Sequence, residues 1–138
     1  MSEPAVSAEL TALRDLVPFA RLVGIEITAA EPHEVRARLD WHESRCTEGG
    51  ALHGGALMAL ADTTGALCAY LNLPEGAGTT TVESKTNFLR AVREGYVDAV
   101  ARPLHVGRTV IVVETELFDT DGRLVAKTTQ TQAVLTPR

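Results

Sequence analysis

The 138-residue chain is the usual size of a single domain, long enough to bury a core and too short for two. With 45% hydrophobic and 22% charged residues, its composition excludes a disordered polyampholyte and a membrane-embedded chain. A net charge of -5 with only 4% aromatics lacks the clustered cations and stacking platforms that nucleic acid requires, so no such partner is expected. Cys46 and Cys68 form no C-x-x-C pair and are too few for a disulfide scaffold, which fits a reducing, cytoplasmic setting. The opening MSEPAVSAELTALRDL has neither a basic n-region nor an apolar h-region, so no secretory signal is expected.

Residues 1–20 read as an N-terminal helical segment: Leu10, Leu13, Leu16 and Val17 recur at helical spacing from a Ser7 cap, loosened at Pro18. LVGIEITAA and EVRARLD follow as strands around a turn at Pro32; in the second, Val35, Ala37 and Leu39 alternate with Arg36, Arg38 and Asp40. GGALMALADTTGALCAYL, from Gly54 to Leu71, predicts a helix apolar nearly all round, which must be buried on most sides. It is short for a transmembrane span, rich in Ala and Gly, and interrupted by Asp62, so no membrane is expected. NLPEGAG stops it.

From Thr79 on, the pattern is strand: TTTVESKTNFL, YVDAVARPLHV, TVIVVETELF and RLVAKTTQTQAVL, punctuated by Gly95, Gly107 and the Asp119–Gly122 turn. Four consecutive strands predict an antiparallel meander. With no linker or repeat, residues 1–138 are expected to form one α+β domain, an antiparallel sheet wrapped around one long apolar helix. Open sheet edges and an open helix end favour pairing with a second copy, giving a homo-oligomer.

Asp62 is the chemically suspicious residue, because an unpaired carboxylate inside an apolar helix costs roughly several kcal/mol. It is either used in chemistry or satisfied by neighbouring hydroxyls. His53-Gly54-Gly55 opens the helix, where free N–H groups could polarise an oxyanion; close packing at a helix entry explains a Gly-Gly pair equally well. Asp62 lies eight residues beyond Gly54, about 12 Å along a helix axis. One chain's pair is therefore awkwardly far apart for one carbonyl.

LHGGALMALADTTGALCA, TTTVESKTNFLRAVREG and LHVGRT together resemble the hotdog-fold thioesterases of the PaaI-like (phenylacetate-pathway) and hydroxybenzoyl-CoA group, over roughly residues 20–135. The resemblance implies hydrolysis of an acyl-CoA to a carboxylic acid and free coenzyme A, with no cofactor beyond the coenzyme A of the substrate. It assigns nucleophile or general base to Asp62 and the oxyanion N–H to Gly54 of a second subunit in a dimer or homotetramer. His53 matches a loop-shaping histidine, and Thr81 matches a Ser or Thr that helps hold the hydrolytic water, although an ordinary strand threonine would look the same. Thr47 stands where many relatives carry Asn or Gln, a departure that removes the amide. Arg90, Gly107 and Arg108 match positions that bind the nucleotide end, where guanidinium suits phosphate; solvated strand-end arginines would look alike.

His33, His42, His53 and His105 form no H-E-x-x-H or C-x-x-C pattern, so no metal is expected. Cys68 reads as a small core residue, and G-x-S-x-G, P-loop and G-x-G-x-x-G motifs do not occur. Two rival readings are a hydroxyacyl-thioester dehydratase or hydratase, which needs a catalytic histidine, and a non-catalytic acyl-CoA-binding protein, which Thr47 favours.

Overall fold

A computed structural model describes residues 7–137. The Ser7 hydroxyl accepts the Leu10 N–H at 3.2 Å and starts α1, Ala8–Asp15. The single loosened helix expected here is in fact two: the chain is extended at Val17 and restarts as α2, Pro18–Val23. Proline has no N–H for the preceding turn and disfavours helical backbone before it, so Pro18 serves as a first helical residue.

Strands β1, Glu26–Glu31, and β2, Glu34–Asp40, form the hairpin around Pro32, with Val35, Ala37 and Leu39 buried as their alternation predicts. A 3-10 turn at Glu43–Arg45 and an irregular loop lead into α3, Gly54–Tyr70. Then come β3, Gly78–Phe88; β4, Tyr96–Val106; β5, Val110–Asp119; and β6, Leu124–Leu135.

The six strands form one antiparallel sheet in the order β1-β2-β4-β5-β6-β3. This corrects the expected four-strand meander. Only β4, β5 and β6 meander, while β3 sits at the far edge, paired with β6, and β2 takes the place beside β4. The reason is the helix: 17 residues span roughly 25 Å, enough to carry the chain across the four strand spacings, about 19 Å, that separate β2 from β3.

Leu57, Leu60, Ala61, Thr64, Gly65 and Cys68 of α3 are buried, within a core that includes Ile25, Leu39, Ile111, Leu117 and Val125. The sheet therefore wraps the helix as expected, but on one side only. Met58 and Tyr70 remain 38% and 51% exposed, and Asp62 is exposed with them. No helix among the described residues is long and apolar enough to cross a membrane.

Leu60 is wholly buried, so Leu60→Ala is expected to lower unfolding free energy by about 2 to 5 kcal/mol, read from urea midpoints at unchanged m-value.

Candidate active site

The first turn of α3 is capped by a histidine. His53 Nδ1 accepts the Gly55 N–H at 2.7 Å, and the His53 carbonyl accepts from Ala56 and Leu57. Nδ1 is thereby an acceptor, which puts the proton of a neutral ring on Nε2. His53 thus caps the helix with its own side chain. Gly54 N–H has no acceptor among the described residues, so at this helix start one donor is spent on the cap and the next is left open. The Gly54 Cα is covered by Phe88 from the end of β3: an added Cβ would lie 3.3 Å from the ring.

Two turns along, Asp62 opens onto an apolar cleft of about 280 Å³ between α1 and α3. Leu13 and Leu16 contribute from α1, Leu67 and Tyr70 from α3, and Thr79 from β3. His53 and Gly55 border a different cleft, of about 370 Å³, with Phe19, Leu22, Cys46 and Ala59. Gly54 itself lines neither cleft, and its neighbours His53 and Gly55 border the second, so within one chain the open N–H lies apart from the cleft that Asp62 faces.

The sheet side of Asp62 is polar. Gln130 Nε2 lies 3.3 Å from Asp62 Oδ1 and donates at 2.9 Å to Gln132 Oε1. The Thr81 hydroxyl donates to the same Gln132 oxygen at 2.6 Å and also faces Asp62. With one proton and two acceptors, Thr81 serves one of them at a time. Gln132 Nε2 donates to Thr79 Oγ1 at 3.1 Å, and Thr79 donates to the Ala133 carbonyl at 2.9 Å. Asp62 is consequently exposed on one side and desolvated on the other. Burial pushes its pKa above the ordinary aspartate value, and the hydrogen bonds from Thr81 and Gln130 oppose that shift.

Three of these groups escaped the sequence reading. Gln130 and Gln132 are fully buried, although the run around them looks like ordinary Thr-rich strand. The available signal was the alternation in β6, where Ala126, Thr128, Gln130, Gln132 and Val134 share the covered face; polar residues on a covered face require partners. Gly65 is the third. A Cβ there would overlap Gln130 Oε1 and approach Thr115 Oγ1 at 3.2 Å, so only glycine lets the helix settle this close to the glutamine.

The remaining sequence-derived candidates scatter. Thr47 is exposed, donates its hydroxyl to the Glu48 carbonyl at 2.8 Å and lines neither cleft. Gly107 spends its N–H on Val110 O at 2.8 Å, closing the β4–β5 turn. Arg90 and Arg108 are both exposed, but Arg90 N bonds Val125 O while the Arg108 turn adjoins Val134. Those contacts are at opposite ends of β6, nine residues apart, about 30 Å at strand rise. One chain does not bring the two arginines together. Burial pushes the Cys68 thiol up to about 11, which leaves it protonated and inert at neutral pH.

A long helix against a curved antiparallel sheet, with a carboxylate facing an apolar cleft, defines a hotdog-fold protein with a candidate hydrolytic site. Residues 49–126 match the thioesterase superfamily, more than half of the chain, and the chain belongs to that family. It is 38% identical over 86 residues to the 1,4-dihydroxy-2-naphthoyl-CoA hydrolase of Escherichia coli, covering 62% of this chain and 63% of that one. Against the proofreading thioesterase EntH of Cronobacter sakazakii it is 37% identical, with the same coverage. The matched region is thus a little under two thirds of these relatives' length. A Haemophilus influenzae thioesterase superposes with a TM-score of 0.87 at 30% identity, covering 96% of this chain and 93% of that one. A Streptococcus pneumoniae protein described as a hypothetical thioesterase, solved with coenzyme A, gives 0.75 at 27% identity, covering 83% and 88%.

Because burial raises the folded-state pKa of Asp62, folding favours its protonated form. That contribution is complete below the ordinary aspartate pKa and is lost as pH rises through the folded-state value. Asp62→Asn keeps an acceptor for Gln130 and carries no charge, so it is expected to raise Tm at pH 7. The gain should vanish in acid; calorimetry across pH 3 to 8 measures both limits.

Proposed function

We propose that this protein is an acyl-CoA thioester hydrolase whose active site is completed by a second copy of the chain. The observation that carries the reading is Asp62 itself, a carboxylate aimed into an apolar cleft on a helix whose own N-terminus leaves the Gly54 N–H open. The acyl group lies in the cleft, and the partner copy's Gly54 N–H donates to the thioester oxygen as it gains charge. One such donor is worth roughly 3 to 4 kcal/mol in the transition state.

Ionised Asp62 can act in either of two ways. As a base it takes a proton from water while the water oxygen bonds the carbonyl carbon; the C–S bond then breaks and the proton passes to the departing thiolate. As a nucleophile it bonds the carbon itself, expels the thiolate and forms an anhydride that water then opens. Thr81, facing the same carboxyl, is suited to hold the water in both. Single-turnover hydrolysis in 18O-water leaves label on the protein if water opens an anhydride at the Asp62 carbonyl carbon; opening at the acyl carbon labels only the product, as the base route does, and is told apart by trapping the anhydride with hydroxylamine.

Arg90, Gly107 and Arg108 are the proposed nucleotide-end contacts, met from different copies because one chain separates the arginines. The assembly is a dimer or a dimer of dimers. The exposed Val82, Phe88 and Leu89 along the β3 edge and the open flank of α3 are surfaces that such pairing would cover. Free Cys46 and Cys68 suit a cytoplasmic location. A coenzyme A-binding protein without turnover is the second reading, favoured by Thr47, whose hydroxyl is committed to its neighbour's carbonyl.

Thiol release from aryl-, arylacetyl- and medium- to long-chain acyl-CoAs tests the reading. At least one class is expected to turn over, with Asp62→Asn and Asp62→Ala reducing kcat at least a hundredfold in folded oligomers. Tight binding with no turnover of any thioester would move the assignment to the binding protein.

A further inference from the structure

We propose that Gln130 is the positioning residue for Asp62: its fully buried amide presents a fixed N–H donor to Oδ1, and the direction of that donor is imposed by a polar chain ending on a backbone carbonyl. The inference rests on the assignment of Asp62 above and adds to it a residue that never touches substrate.

The chain reads outward from its one unambiguous acceptor. The Ala133 carbonyl can only accept, so Thr79 donates to it. Having spent its proton, Thr79 Oγ1 receives one from Gln132 Nε2. The Gln132 amide is thereby oriented with Oε1 toward Gln130 and Thr81. That oxygen and Asp62 Oδ1 both face the same end of the Gln130 amide, which therefore has to be the NH2 end. A reversed amide would set oxygen against oxygen at both contacts. The other end, Gln130 Oε1, is buried with no hydrogen-bond partner among the described residues and is pressed toward Gly65. Leaving that oxygen unpaired costs roughly 1 to 3 kcal/mol, and nothing in core packing explains a buried glutamine there in place of leucine or methionine. Its gain is the donor it holds on Asp62.

The surroundings make the readout clean. Thr79, Thr81, Gln130 and Gln132, on β3 and β6, are uncharged groups on the sheet side of Asp62. From the helices, Arg14 of α1 and Tyr70 of α3 line the same cleft, and Arg14 is engaged with Asp15 at 2.8 Å and the Ile25 carbonyl at 3.0 Å. Among the described residues no second carboxylate lines this cleft, so the acidic limb of a pH–rate profile reports Asp62.

Gln130→Met removes the donor at nearly constant length. The expected result is a kcat about tenfold lower, KM within twofold of the parent, and an acidic limb moved to higher pH because the ionised carboxylate has lost a donor. The aspartate signal followed by 13C NMR titration should move the same way, a readout that needs no turnover. Thr79→Val, which deletes the anchoring hydroxyl at constant shape, should move that titration in the same direction by a smaller step, and it serves if Gln130→Met does not fold. An unmoved limb and titration in a folded variant would overturn the inference while leaving Asp62→Asn free to report on the proposed reaction. Full activity in Asp62→Asn would overturn the reaction and, with it, this role.

Discussion

A carboxylate halfway along an apolar helix has to be solvated by something, and much of this structure follows from how that is done. One flank of Asp62 meets the inner face of β6, where Gln130 supplies a donor and Gln132 and Thr79 hold that donor in direction. The helix can approach so closely only because residue 65 has no side chain. The other flank cannot be closed by the same chain without burying the charge altogether, which would cost several kcal/mol. The result is a helix packed hard on one side and bare on the other, with Met58, Asp62 and Tyr70 along the bare stripe.

The same helix supplies the complementary group at its other end. His53 accepts one N–H as a cap, and the adjacent Gly54 N–H has no acceptor among the described residues. The Asp62 carboxylate and the Gly54 N–H on one helix sit about 12 Å apart, too far for one carbonyl, and Gly54 does not line the cleft that Asp62 faces. In the proposed dimer, two copies related by a two-fold axis would remove the mismatch by lending each site one group from each helix. In the proposed mechanism the rigidity that keeps the groups apart in one chain then holds them in register across two.

Much of the fold was legible because it is written in local pattern. The apolar run from Gly54 announces α3 to within a residue of its end, and the alternation in Val35–Leu39 gives the buried face of β2. Strand order was not legible: each of the last four strands is recognisable alone, but which neighbour it pairs with depends on where α3 delivers the chain, and that set β3 beside β6. Pro18 was read as loosening a helix when it starts a new one. At the site, Asp62 stood out because it breaks a pattern, whereas Gln130 and Gln132 hid inside a Thr-rich strand whose two faces differ only by register. Arg90 and Arg108, each matched to a nucleotide-end position by resemblance, lie at opposite ends of β6, a separation that local pattern does not reveal.

The central claim is that Asp62 and Gly54 act on one thioester from different copies of the chain, and subunit mixing tests it most directly. Gly54 is the first residue of α3, where proline is tolerated; it deletes the N–H and requires the Phe88 ring, 3.3 Å from an added Cβ, to give by a few tenths of an ångström, so folded oligomers are verified first. Homogeneous Asp62→Asn and Gly54→Pro preparations should each be nearly inactive. After exchange of subunits, half of the dimers are mixed and each mixed dimer has one intact site, so about a quarter of the parent thiol-release activity should return. A mixture no more active than its two components, with exchange verified, would contradict a site shared between copies.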